Sequence, residues 1–125
     1  MAPDLAALSC AETARGVATG DWTVTEVVDA TLSRIAARDA DIGAFLTTYA
    51  DKARRRAQQI DDDDALRSGP LAGVPVALKD NLCVAGQRTT AGSRILESFL
   101  PPYSATVVER LRTAGAVIVG KTNLD

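Results

Sequence analysis

Two short apolar runs, residues 74–78 (VPVAL) and 116–119 (AVIV), frame a segment with helical spacing in the second half of the chain. Runs this short that are apolar throughout read as buried strands. Between them Ser104 is placed to cap a helix whose buried face carries Val107, Val108 and Leu111 and which Gly115 stops. A strand, a crossover helix and a second strand make a parallel unit, expected to be right-handed. Pro75 fits only near the start of its strand or on a sheet edge, because it has no amide to give to a neighbour. The expected class is therefore α/β, with N-terminal helices preceding the first strands of a mixed sheet.

The first half, residues 1–66, reads as mainly helical. Ser9 and Glu12 form a capping box, as do Thr23 and Glu26, and Trp22 is placed to staple onto Val27 across the second. Gly20 is the expected stop of the first helix, although Gly16 weakens its interior. Val24, Val27, Val28, Leu32 and Ile35 recur at helical spacing, giving a second helix one apolar face up to about Arg38. Residues 42–47 read as a short extended segment. A third helix is expected over 51–60, burying Ala53, Ala57 and Ile60. Its Lys52, Arg54, Arg55 and Arg56 form a basic cluster that reads as a solvated face balanced by the aspartates 61–64. That acidic run and residues 67–70 then read as an exposed connector into the strand–helix–strand unit of residues 67–125.

Composition narrows the classes of function. Fourteen Lys and Arg against sixteen Asp and Glu leave a net charge of -2, so no global basic field exists to hold nucleic acid. Cys10 and Cys83 have neither a metal-ligand spacing nor a histidine beside them and read as free thiols in a reducing compartment. Met-Ala-Pro-Asp at the start lacks a basic region followed by an apolar one, so no secretory signal is expected, and no apolar run reaches membrane-spanning length. The expected location is the cytoplasm.

The chain contains no histidine, so acid–base chemistry near neutral pH must come from a group with a perturbed environment. Lys79 is the candidate. It closes residues 69–81 (GPLAGVPVALKDN), between an apolar strand and the carboxylate of Asp80. An ammonium held in an apolar pocket loses hydration, its pKa falls, and the neutral amine can act as a base. The plainer reading is a strand-end lysine that is solvated or paired with its neighbour.

Residues 69–81 resemble the lysine motif of the amidase signature family. Residues 89–93 (TTAGS), 103–108 (YSATVV) and 114–123 (AGAVIVGKTN) are similar to segments of the same family, so the likeness runs over nearly the whole chain. Within the family, residues 88–97 (RTTAGSRILE) are most similar to the A subunits of glutamyl-tRNA(Gln)/aspartyl-tRNA(Asn) amidotransferases. The resemblance implies that residues 1–125 are the N-terminal part of one amidase signature domain. It also implies a Ser–Ser–Lys mechanism, in which Lys79 relays a proton through one serine to a second, nucleophilic serine that attacks a carboxamide. The substrate implied is glutamine, and the ammonia released converts Glu-tRNA(Gln) or Asp-tRNA(Asn) to the amide. The partners implied are B and C subunits, with tRNA met only indirectly through the complex. No cofactor is expected in this chain, and ATP and Mg2+ are implied only at the B subunit.

Two departures stand out. Ser104 occupies a position where the family usually has Asp, and either residue can cap a helix. More importantly, no Ser-Gly-Gly-Ser stretch occurs in these residues, so Lys79 is the single member of the implied triad they contain. The 125-residue chain is accordingly expected to be a fragment, inactive alone, with exposed strand edges. Thr89, Thr90, Gly92 and Ser93 are candidates to line a pocket beside Lys79, though the same composition suits a surface turn. Two alternatives stay open: a fragment of a stand-alone amidase acting on other carboxamides, and a non-catalytic truncated remnant.

Residues 115–122 (GAVIVGKT) also match the Walker A pattern letter for letter. That pattern works when a strand precedes the first glycine and the next four residues loop around phosphate. Here a helix precedes Gly115 and the four residues are small or β-branched, which suits a strand whose amides are already paired. Nucleotide binding at this segment is not expected.

Overall fold

The computed structural model describes residues 2–124. Helix α1 (Cys10–Thr19) begins at the Ser9 capping box and ends at Gly20 in the left-handed conformation. Helix α2 (Val24–Ile42) begins at the Thr23 capping box and ends at left-handed Gly43. It runs four residues past the Arg38 expected as its end, so the extended segment starts later than Ile42, as strand β1 (Phe45–Thr48). Helix α3 (Ala50–Asp61) buries Ala53, Ala57 and Ile60 as the pattern predicted.

The acidic run is not a plain connector. Asp61 reaches back to the start of α2, accepting from the Val24 amide at 2.7 Å and the Thr25 amide at 3.0 Å. Asp63 caps the four-residue helix α4 (Asp64–Arg67). These aspartates therefore satisfy amides that would otherwise be orphaned at helix starts. Nor do they balance the basic face of α3: Arg54 pairs with Asp29 of α2 at 2.7 Å, and Arg56 donates to the carbonyl of Arg112 at 3.0 Å.

Strand β2 (Pro75–Lys79), helix α5 (Thr106–Thr113) and strand β3 (Val117–Thr122) form the expected unit, with β2 parallel to β3. The sheet order is β1-β3-β2, and β1 runs antiparallel to β3, so the sheet is mixed. Pro75 is the first residue of an outer strand, where its missing amide costs least. Two corrections concern α5. Its N-cap is Ala105, and the Ser104 hydroxyl instead accepts from the Ala85 amide at 2.9 Å, tying the preceding loop to the helix entry. Val107 is exposed, so the buried face rests on Val108, with Leu111 half-buried.

Strand β3 extends three residues beyond the expected end at Val119. Gly120 makes this possible, because a Cβ there would lie 2.4 Å from the Thr47 carbonyl oxygen of β1. Side chains alternate across a strand, and β3 is buried on both faces. Val117 and Val119 join Val24, Val28, Ala57 and Ile60 beneath α2 and α3. Ile118 faces the other way, with Leu78, Val84 and Val108 beneath α5. Helices thus cover both faces of the central strand, as parallel pairing requires.

Candidate active site

Lys79 is the last residue of β2, and the alternation that buries Leu78 leaves Lys79 exposed. The apolar enclosure expected from its flanking run is therefore not supplied by the described residues. The buried lysine of this fold is a different one. Lys121, on β3, is 0% exposed and donates to the Asp80 carboxylate at 3.1 Å and to the Thr89 hydroxyl at 3.3 Å. Asp80 is itself only 2% exposed, so the carboxylate beside Lys79 is paired with Lys121, its charge compensated in the interior.

Asp80 is the hub of the site. One carboxylate oxygen takes the Lys121 ammonium, and the other accepts from both the amide and the hydroxyl of Thr90. Its own amide donates to the Thr122 carbonyl at 2.9 Å, and its carbonyl accepts from the Ala91 amide at 3.0 Å. The residue after Lys79 is therefore held on every polar atom it has. The loop it holds is conformationally unusual: Ala91 has φ 49° and Gly92 φ 68°. A left-handed alanine costs roughly 1 kcal/mol and persists only when its surroundings impose it. Here the Asp80 carbonyl takes the Ala91 amide, and the Thr90 hydroxyl takes the Gly92 amide at 3.1 Å.

The four candidate pocket residues separate into two roles. Thr90, Gly92 and Ser93 line an open cleft of about 260 Å³, together with Arg88, Arg94 and Asn123. Thr89 is buried behind them, accepting from Lys121 and donating to the Gln87 carbonyl at 3.3 Å. Lys79 is not among the described residues that line the cleft; the carboxylate of its neighbour Asp80 holds Thr90, which does. The arrangement can hold a small polar group near hydroxyls and amides. It presents the lysine motif without a Ser-Gly-Gly-Ser stretch, which these residues do not contain.

Sequence reasoning missed Asp80 and Lys121 as partners. Lys121 was visible as the lysine of a segment similar to the amidase signature family, whose match to a phosphate-loop pattern was rejected, but neither reading identified its partner. The structure places residues 117–120 in β3, with their amides in a ladder, and gives the lysine a carboxylate. Cys10 and Cys83 are free thiols. Among the described residues, no helix is long and apolar enough to cross a membrane.

The Amidase family profile matches residues 26–125. The chain is 53% identical over 126 aligned positions to the A subunit of the glutamyl-tRNA(Gln) amidotransferase of Anaeromyxobacter dehalogenans (strain 2CP-C), covering 99% of this chain and 26% of the relative. The corresponding A subunit from Synechococcus sp. (strain CC9311) is 48% identical, covering 94% of this chain and 25% of the relative. Among solved structures, the native peptide amidase of Stenotrophomonas maltophilia superposes with a TM-score of 0.85 at 37% identity, covering 94% of this chain and 25% of that one. The chain thus spans about a quarter of the length of the relatives it matches.

Proposed function

Because the chain belongs to the amidase family, we propose that it is the N-terminal portion of the glutamine-hydrolysing A subunit of a tRNA-dependent amidotransferase. Lys79 is the base in this reading. It takes a proton, through a bridging serine, from a nucleophilic serine whose oxygen then bonds to the carboxamide carbon. The same proton is returned to the nitrogen as the carbon–nitrogen bond breaks, so that ammonia leaves, and water then cleaves the acyl–serine bond to release the acid. The ammonia is passed on to convert Glu-tRNA(Gln) or Asp-tRNA(Asn) to the amide. Both serines belong to segments that these residues do not contain, so the 125 residues alone are inactive. An exposed Lys79 fits this reading, because residues outside this stretch would complete its enclosure.

The observation that carries the proposal is the anchoring of Asp80. A lysine at the end of a parallel strand, followed by a residue fixed on both sides by β3 and by the hydroxyl loop, has a backbone position set for chemistry. Transfer of the ammonia to tRNA-bound substrate is assigned to a complex with B and C subunits, and ATP and Mg2+ to the B subunit. In the full-length enzyme, Lys79→Ala should lower glutamine hydrolysis by about 10²–10⁴, the range for loss of a general base. Retained glutaminase activity with an intact fold would remove Lys79 from the mechanism. Likeness to a peptide amidase keeps a stand-alone hydrolase of other carboxamides as the second reading. Co-purification with B and C subunits distinguishes the two.

A further inference from the structure

On the side of β3 away from α2, the polar face of α3, the end of α5 and the loop before Arg88 enclose a second cavity of about 120 Å³. Its polar wall is Tyr49, Lys52, Arg56, Gln87 and Arg112, over an apolar floor that includes Ile118. No carboxylate occurs among the described residues that line it. Two donors in this wall are buried without a partner in the protein: the Tyr49 hydroxyl, on a residue only 8% exposed, and the Arg56 Nε. Natural folds rarely leave such groups unmatched.

From this wall we infer that the cavity is a binding site for a single small oxyanion of the phosphate or sulfate type. Lys52 and Arg56 stand one helical turn apart on α3, a mildly repulsive arrangement of like charges that an anion between them would relieve. Arg112 joins them from α5. The Arg56 guanidinium is not free to swing away, because its Nη2 donates to the Arg112 carbonyl at 3.0 Å, leaving Nε without a partner in the protein. Arginine presents its donors in a fixed fork that suits an oxyanion, and charge-assisted bonds of this kind are the stronger ones. Tyr49 adds a neutral donor. Burial first, then the charge of Asp80, pushes its hydroxyl up to about 12 against the opposing pull of Arg112, so it keeps its proton at neutral pH. The site lies apart from the cleft of Thr90, Gly92 and Ser93 and does not depend on Lys79 being the base.

The test is calorimetric titration of the full-length protein with inorganic phosphate in a chloride buffer, with sulfate as competitor. The expected result is saturable binding that sulfate displaces and chloride does not. Arg56→Gln should weaken it about tenfold, and Tyr49→Phe, which keeps the ring and its packing, about threefold. Should Arg56→Gln fail to fold, the Tyr49→Phe protein decides alone. No saturable heat at tens of millimolar phosphate would mean that ordered water satisfies these donors, and the inference fails. Phosphate binding that both variants leave unchanged would locate it elsewhere and overturn the inference equally.

Discussion

Asp80 and Lys121 show what one buried pair can specify. Each is almost wholly removed from water, and each is compensated chiefly by the other. Breaking a buried pair from one side typically costs 3–5 kcal/mol, because the remaining charge is left without its counterpart, whereas removing both charges costs far less. Lys121→Met should therefore destabilise the protein by about 3 kcal/mol or more, and adding Asp80→Asn should recover part of that loss. Urea unfolding of the wild type, both single variants and the double variant measures the coupling; strictly additive losses would show that the pair is not a unit. This is also where sequence reasoning ran out. Thr90, Gly92 and Ser93, which line the cleft, were legible because they closely follow a contiguous motif. The partner of Asp80 lies 41 positions away. Nothing local identifies it, and Gly120-Lys121, a glycine and a charge, looked like the end of a strand rather than its continuation.

Local signals account for most of the helices. Both capping boxes, both apolar faces and the glycine stop of α1 form where their patterns occur, because each depends on residues within one turn. Contacts between elements were less legible, and Trp22 is the example. Its indole nitrogen donates to the Thr13 carbonyl at 3.2 Å, and its ring lies across α1 where Gly16 leaves room. Read locally, Gly16 is a weak point in a helix, and alanine there would ordinarily stabilise by about 0.5–1 kcal/mol. The structure reverses the sign. A Cβ at Gly16 would stand 2.0 Å from two carbons of the indole, and the rigid ring would have to leave its site. Gly16→Ala should therefore destabilise by about 1–3 kcal/mol, the usual cost of overpacking. Urea unfolding followed by the fluorescence of Trp22 reports both the loss and the displaced ring; an unchanged or raised midpoint would refute the packing argument.

At the scale of the molecule, the interior and the outer surface differ in completeness. The central strand is covered on both faces, yet residues 95–107 present Ile95 at 92% exposure, with Leu100, Tyr103 and Val107 also exposed. A protein that stays monomeric rarely presents so many large apolar side chains along one stretch. The sheet adds to this, since its outer strands β1 and β2 each have one side that β3 does not pair. The 125-residue chain produced alone should self-associate as concentration rises, whereas the full-length protein should not. Light scattering coupled to size exclusion distinguishes these outcomes, and a monodisperse monomer of the short chain would favour the remnant reading over the enzyme one.

The bridge from Asp80 to Lys121 also sets an order of events. The turn of Thr90, Ala91 and Gly92 takes its shape from Asp80, and Asp80 is anchored by β3, the last strand of this stretch. On a ribosome, β2 and the turn are synthesised before residue 121. Until then Asp80 has neither its ammonium nor the Thr122 carbonyl, and closing a gap of some 40 residues is a slow, entropically opposed step compared with winding a helix. The cleft therefore cannot exist as a local feature of the nascent chain. It appears together with the parallel pair, so a synthesis product released before Lys121 would carry the lysine motif without the cleft beside it.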